Sequence, residues 1–199
     1  SKYIFHLNPD VSISTEIILK MYEIANQIDE LGIISPQESR KNTEISNHIE
    51  QDFIEVNHVK GFVMLINNFN CKETRYFDEN FFLYLEEIDL CKRLKLQNKK
   101  ICLAQNIYVE HFAGKSHDPK YSEKMEIQRN WHYMWYLFYF NKKYSGSLYA
   151  YKITLGKFIS AFLKIILFFF VNKKKYIIYK HRFLGLLNSY LNKKSKFRI

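Results

Sequence analysis

The spacing of apolar residues changes repeatedly along this chain, and each change marks an element. YIFHL (3–7) is a short apolar run closed by Asn8-Pro9-Asp10, the pattern of a buried strand entering a turn. Ile17, Ile18, Met21, Ile24, Ala25 and Ile28 then recur at helical spacing, with Ser14 or Thr15 placed to cap the helix and Gly32 placed to stop it. Ile33 and Ile34, closed by Pro36, predict another strand, and residues 37–43 a polar loop. Residues 53–66 are β-rich with Gly61 inside them, and 67–80 read as loop. Residues 86–97 fit a helix with Leu90 and Leu94 on one face. KICLAQNIYVE (100–110) reads as strand, turn, strand, and residues 125–143 as an aromatic-rich helix. Strands alternating with helices predict an α/β domain.

Composition sharpens this picture. With 47% apolar and 17% aromatic residues among 199, and only 6 Gly and 3 Pro, the chain can bury a sizeable core and is neither disordered nor collagen-like. Cys71, Cys91 and Cys102 are an odd, sparse set without a CxxC, which points to a reducing compartment rather than a disulfide framework. Charge divides the chain. From Tyr151 onward there are twelve of the 30 Lys and Arg and none of the 20 Asp and Glu. A near-neutral body therefore precedes a strongly cationic tail, which suits an acidic surface as partner.

Three polar stretches of the body carry candidate chemistry. Asp10, just past a strand, sits where open α/β sheets bind ligands and can hold a divalent cation that bridges phosphates; Asn-Pro-Asp is also an ordinary turn. FDENFFLYLEEIDLCKRL (77–94) sets Glu86, Glu87 and Asp89 behind an aromatic run. Acids suit a helix start, and Asp89 can pair with Arg93 four residues on. Clustered carboxylates near an apolar wall also raise one another's pKa, which readies a general base. His111 follows a strand-like run and can be a metal ligand or a structural hydrogen-bonding group. HExxH, P-loop and GxSxG patterns are absent from the sequence.

Taken in order, FHLNPDV (5–11), VKGFVMLI (59–66), YFDENFFLYLEEIDLCKRL (76–94) and YVEHFAGKS (108–116) resemble the C-terminal half of bacterial family 2 glycosyltransferases, in particular the rhamnosyltransferase-like branch. The resemblance covers roughly residues 3–116. It implies an α/β fold: the C-terminal part of a GT-A (Rossmann-like) domain over residues 1–145, followed by an α-helical, basic, membrane-associating tail over 146–199. Asn8-Pro9-Asp10 matches the family's DxD motif with Asn8 in place of the first acid, so Asp10 is expected to touch a Mg2+ or Mn2+ ion on the donor diphosphate. His111 matches the late histidine that completes that ion's shell. Glu86 and Glu87 match the Glu-Asp pair whose second acid is the base; Glu87 is one methylene longer than the family's Asp. Asn8, Gly61 and Asp89 are the expected substrate-binding residues. The implied reaction is inverting transfer of a sugar, rhamnose by branch, from a nucleotide-sugar donor to a lipid-linked saccharide in bacterial surface polysaccharide synthesis. The strands that hold the nucleotide in this family would precede FHLNPDV and are expected to be missing, as in a fragment or a truncated product. The alternative is a catalytically silent remnant that serves as a membrane-binding module.

The tail refines the partner. Residues 153–171 are 19 long but contain Lys157 and Lys164, and Lys173-Lys174-Lys175 follow at once. A spanning helix needs about 20 mostly apolar residues. The lysines, seven apart, predict instead a helix lying in an anionic membrane interface, peripheral on the cytoplasmic face of the inner membrane. A helix packed on the body and a true span are the competing readings. Motifs for nucleic-acid reading are not evident, so no nucleic-acid partner is expected.

Overall fold

A computed structural model describes residues 1–39, 51–112 and 118–198. Residues 40–43 of the expected polar loop and the Gly114–His117 stretch after His111 lie outside the described residues. The chain forms two compact units: residues 1–78 with 86–116, and residues 79–85 with 117–199.

The first unit is built on a mixed sheet. Its elements are β1 (Tyr3–Leu7), β2 (Val11–Ser12), α1 (Thr15–Asn26), β3 (Leu31–Glu38), β4 (Phe53–Glu55), β5 (Val63–Asn67), α2 (Asn68–Lys72), α3 (Glu86–Leu96) and β6 (Lys100–His111). The order across the sheet is β1-β5-β3-β6-β2, with β4 also on β6. Strand β3 runs parallel to β6 and antiparallel to β5. β5 is buried on both faces, which is why its run is continuously apolar rather than alternating. Val63 and Leu65 face the core around Met21, Ala25, Leu31 and Ile34. Met64 and Ile66, one residue out of phase, face Ile33, Leu90, Cys91, Leu94 and Ile101.

Three local expectations change, the first being that residues 67–80, read as loop, contain the short helix α2 (Asn68–Lys72), capped by Asn67. Helix α1 is capped by Ser14, whose hydroxyl accepts from Ile17 N at 3.3 Å, but it ends at Asn26, so Gly32 does not stop it. Gly32 lies inside β3, where a Cβ would come within 3.2 Å of Leu94 Cδ1 and 3.3 Å of the Lys100 carbonyl. The glycine lets α3 lie close on the strand. Residues 100–110 do not turn either. They form one long strand, whose pairing with β3 is irregular: Ser35 stands opposite Leu103 and Gln37 opposite Tyr108, so three extra residues of β6 are accommodated there.

The second unit is helical. It comprises α4 (Ser122–Val171), interrupted at Gly146 with φ +83°, and α5 (Lys173–Tyr190). A left-handed φ is cheap only for glycine, so this residue sets the break. The chain doubles back there, and Phe138 reaches Tyr151 and Tyr190 at ring-centroid distances of 4.8 and 4.7 Å. Gly185 crosses α4 so closely that a Cβ would stand 2.3 Å from the Trp131 carbonyl oxygen. Segment 79–85 packs on these helices. Phe81 sits among Trp131, Trp135 and Tyr136, and the Leu83 N–H donates to the Tyr136 hydroxyl at 3.2 Å.

Candidate functional site

Strand pairing brings the candidate cation ligands together across the chain. In the antiparallel β2–β6 pair, Val11 stands opposite His111, and the Phe112 N–H donates to the Asp10 carbonyl at 2.9 Å. Asp10 and His111, about a hundred positions apart, thus become neighbours. His111 Nε2 lies 3.4 Å from Asp10 Oδ1, and both side chains are largely buried. Strand β3 ends beside them, because its parallel register on β6 sets Glu38 opposite Val109. His111 Nδ1 lies 3.1 Å from Glu38 Oε1. Lys60 grips the other Glu38 oxygen, and this ion pair, assisted by His111, holds the Glu38 carboxyl below the usual carboxylate range.

These contacts test whether the residues fit a divalent cation. A carboxylate only accepts, so Nδ1 carries the proton toward Glu38. In the neutral ring Nε2 is then an acceptor facing another acceptor, Asp10 Oδ1. Positive charge at Nε2 satisfies that contact, either as a second ring proton that makes an imidazolium bridge between Asp10 and Glu38 or as a cation between the two atoms. Their 3.4 Å separation exceeds a charge-assisted hydrogen bond and suits two neighbouring ligand atoms, each about 2.1 Å from one ion. Among the described residues no group of three His, Cys, Asp or Glu converges on one point, since Glu38 lies on the opposite ring nitrogen. Two protein ligands fit a cation such as Mg2+ that keeps phosphate oxygens and water in its shell.

The acidic stretch opens α3 as its spacing predicts, with Glu86, Glu87 and Asp89 in the first turn. Tyr84 and Leu85, directly before it, both have left-handed φ, +69° and +67°. Such angles cost side-chain-bearing residues roughly 1–3 kcal/mol each and cluster where geometry is functional. Burial, then the neighbouring Glu87 charge, pushes the Glu86 carboxyl up to about 7, and its Oε2 is buried without a hydrogen-bond partner among the described residues. Burial also raises Glu87, against the opposing pull of its own backbone N–H and of His58. Gly61 leaves a slot beside Glu87: a Cβ there would rest 3.4 Å from Glu87 Cβ and 3.7 Å from its Cδ.

Asp89, expected at substrate, is fully buried and bound to Arg93 Nε at 2.7 Å. The Arg93 guanidinium donates onward to the Thr74 and Tyr76 carbonyls. Those contacts hold Arg75 and Tyr76 at φ +58° and +51°. As placed, Asp89 fixes the 74–76 loop through Arg93. Asn8 contributes its backbone N–H to the Phe62 carbonyl at 2.9 Å.

Lys60-Gly61-Phe62 is what motif reading passed over, except for its glycine. Lys60 holds Glu38, Gly61 lies along Glu87, and Phe62 stacks on the His111 ring (5.2 Å, 11°) while its carbonyl accepts from Asn8. The VKGF run was visible in the sequence, but its partners are remote along the chain. A cavity of about 470 Å³ opens here, lined by Pro36, Glu38, His58, Lys60, Phe62 and Leu103 among others.

A mixed α/β sheet with a carboxylate–imidazole cluster at one strand end and an acidic helix start is consistent with part of a glycosyltransferase-like fold. No family model matches the chain. It is 28% identical over 125 residues to the low-salt glycan biosynthesis hexosyltransferase Agl10 of Haloferax volcanii, a match covering 53% of this chain and 40% of that protein. The chain thus spans well under half the length of the curated relative it matches.

Proposed function

We propose that this chain carries the acceptor-side half of an inverting family 2 glycosyltransferase. It moves a sugar, rhamnose by branch resemblance, from a nucleotide-sugar donor to a lipid-linked saccharide. What supports the reading is that one tripeptide, Lys60-Gly61-Phe62, touches the surroundings of all three candidate polar groups, with a cavity beside it. Glu87 takes the proton of an acceptor hydroxyl, whose oxygen attacks the anomeric carbon while the nucleoside diphosphate leaves. Burial suits Glu87 to this, because a raised carboxyl is a better base near neutral pH. Asp10 and His111 would hold a Mg2+ or Mn2+ ion, which when bound neutralises charge on the diphosphate.

Attachment falls to the cationic helices, peripheral at the cytoplasmic membrane face. Among the described residues one helix is long and apolar enough to cross a membrane, and only 11% of its most apolar window is buried. Ile159, Phe162, Leu163, Ile166, Leu167 and Phe170 are exposed at helical spacing. Lys164 is not on that face: it lies 4.8 Å over the Tyr179 ring, against the sequence expectation that it and Lys157 point together toward lipid phosphates. The apolar face also favours the second reading, a silent membrane-binding module. Sugar transfer by the Glu87→Gln variant separates the two. Loss of at least about 100-fold with donor binding retained supports catalysis. Near-normal turnover in Glu87→Gln, with loss in Glu86→Gln, moves the base by one residue. No transfer by the unaltered protein, with vesicle binding intact, supports the module.

A further inference from the structure

We infer that Glu38 is a positioning residue that sets the tautomer and ring orientation of His111, and that Lys60 and Phe62 complete its frame. The inference rests on the cation reading above, and Glu38 belongs to none of the motifs that suggested that reading.

Each degree of freedom of the imidazole meets one constraint. Phe62 stacks nearly parallel on the ring, 5.2 Å away at 11°, and fixes its plane. Glu38 Oε1, 3.1 Å from Nδ1, accepts the proton there and fixes the rotation within that plane. Nε2 is thereby aimed at Asp10 Oδ1, 3.4 Å away, and in the neutral ring it is the nitrogen that bears no proton. Lys60 binds Oε2, the oxygen His111 does not use, so the carboxylate cannot swing off the ring. The backbone supports the same geometry: the Ser39 N–H donates to the Val109 carbonyl at 2.9 Å, tying the end of β3 to β6 two residues before His111. A ligating histidine commonly gives its second N–H to a carboxylate, and loss of that partner typically costs about 10–100-fold in metal affinity.

Other features carry less. The lysine-edged cavity of about 370 Å³ near Trp135 and Tyr139 has aromatic walls, but nothing around it selects one anion over another. The C-terminal segment bound to His132 through Ser195 and Phe197 is accounted for by packing.

The test uses the whole chain and two readouts. Nitrogen-15 NMR of the imidazoles, with His111→Gln for assignment, should show His111 protonated at Nδ1 without added metal. Glu38→Ala should abolish that preference, and Glu38→Gln, which keeps an acceptor, should retain it in part. Binding of Mn2+ with inorganic pyrophosphate, followed by electron paramagnetic resonance, should weaken about 10–100-fold in Glu38→Ala and less in Glu38→Gln. A proton on Nε2 in the unaltered protein, or unchanged Mn2+ affinity in Glu38→Ala, overturns the inference. Correct tautomers with no Mn2+ binding by any form leave the positioning role standing and sink the cation reading instead. Thiol labelling of Cys71 and Cys102, buried in every folded form, separates these results from misfolding.

Discussion

The sheet unit and the helical unit use their charges with different emphasis, although the helical unit also pairs Lys174 with Glu126 and the sheet unit sets Lys2 over Tyr3. In the sheet unit, acids meet partners at specific atoms: Asp89 with Arg93, Glu38 with Lys60 and His111, Asp10 with His111. Glu86 and Glu87 are the contrast, buried and raised in pKa. In the helical unit several cations lie over rings: Lys164 and Arg182 over Tyr179, Lys175 over Phe168, and Arg198 3.5 Å above Phe82. Such contacts are worth roughly 0.5–2 kcal/mol each. A cationic stretch is therefore not a uniformly cationic surface. Its lysines partly serve aromatic packing, and the exposed face they leave is apolar.

Both tryptophans, Trp131 and Trp135, belong to the helical unit, and all three cysteines are buried in the sheet unit. Thiol labelling and tryptophan fluorescence therefore report the two regions separately. The largest effect expected is from Asp89→Ala, which leaves Arg93 without its buried partner. It should lower the stability seen by thiol labelling by roughly 3–5 kcal/mol and leave tryptophan unfolding in place. A joint shift of both probes would merge the two regions into one cooperative body.

Glu86 sharpens the comparison through pH. Its folded pKa is raised from 4.5 to about 7, so the folded state holds a proton that the unfolded state has released. Stability of the sheet unit should therefore fall as pH rises through that window, by up to about 3 kcal/mol. Glu86→Gln should flatten the slope between pH 5 and 8. The same slope in variant and parent would mean that Glu86 is not buried as a charge.

In the helical unit, replacing Phe162, Ile166 and Phe170 together with Asn should weaken binding to anionic vesicles by at least about 100-fold, which takes only about 2.7 kcal/mol in all, against roughly 1.5–3 kcal/mol for each fully buried apolar side chain. Raising salt should release the parent protein only in part, because screening acts on the charges and not on the apolar face. Complete release by salt alone would show that this face packs on protein.

Local pattern was enough for the extent of β1 (though Ile4 and Leu7 are exposed, not buried), for α1, for α3 with its three early acids, and for the division between a balanced body and a cationic tail; the structure chose Ser14 over Thr15 as the cap. These depend on periods of two and 3.6 residues, on caps and on counts of charge, all of which act within a few positions of the chain. Tertiary structure alone decided that Gly32 makes room for Leu94, that Asp89 is sealed against Arg93, and that Lys164 turns onto Tyr179. It alone placed Glu38 on His111, because that contact depends on the parallel register of β3 on β6 across 73 positions. Hydrogen-bond partners and burial depend on distances in space, and a sheet joins residues whose order along the chain carries no record of that distance.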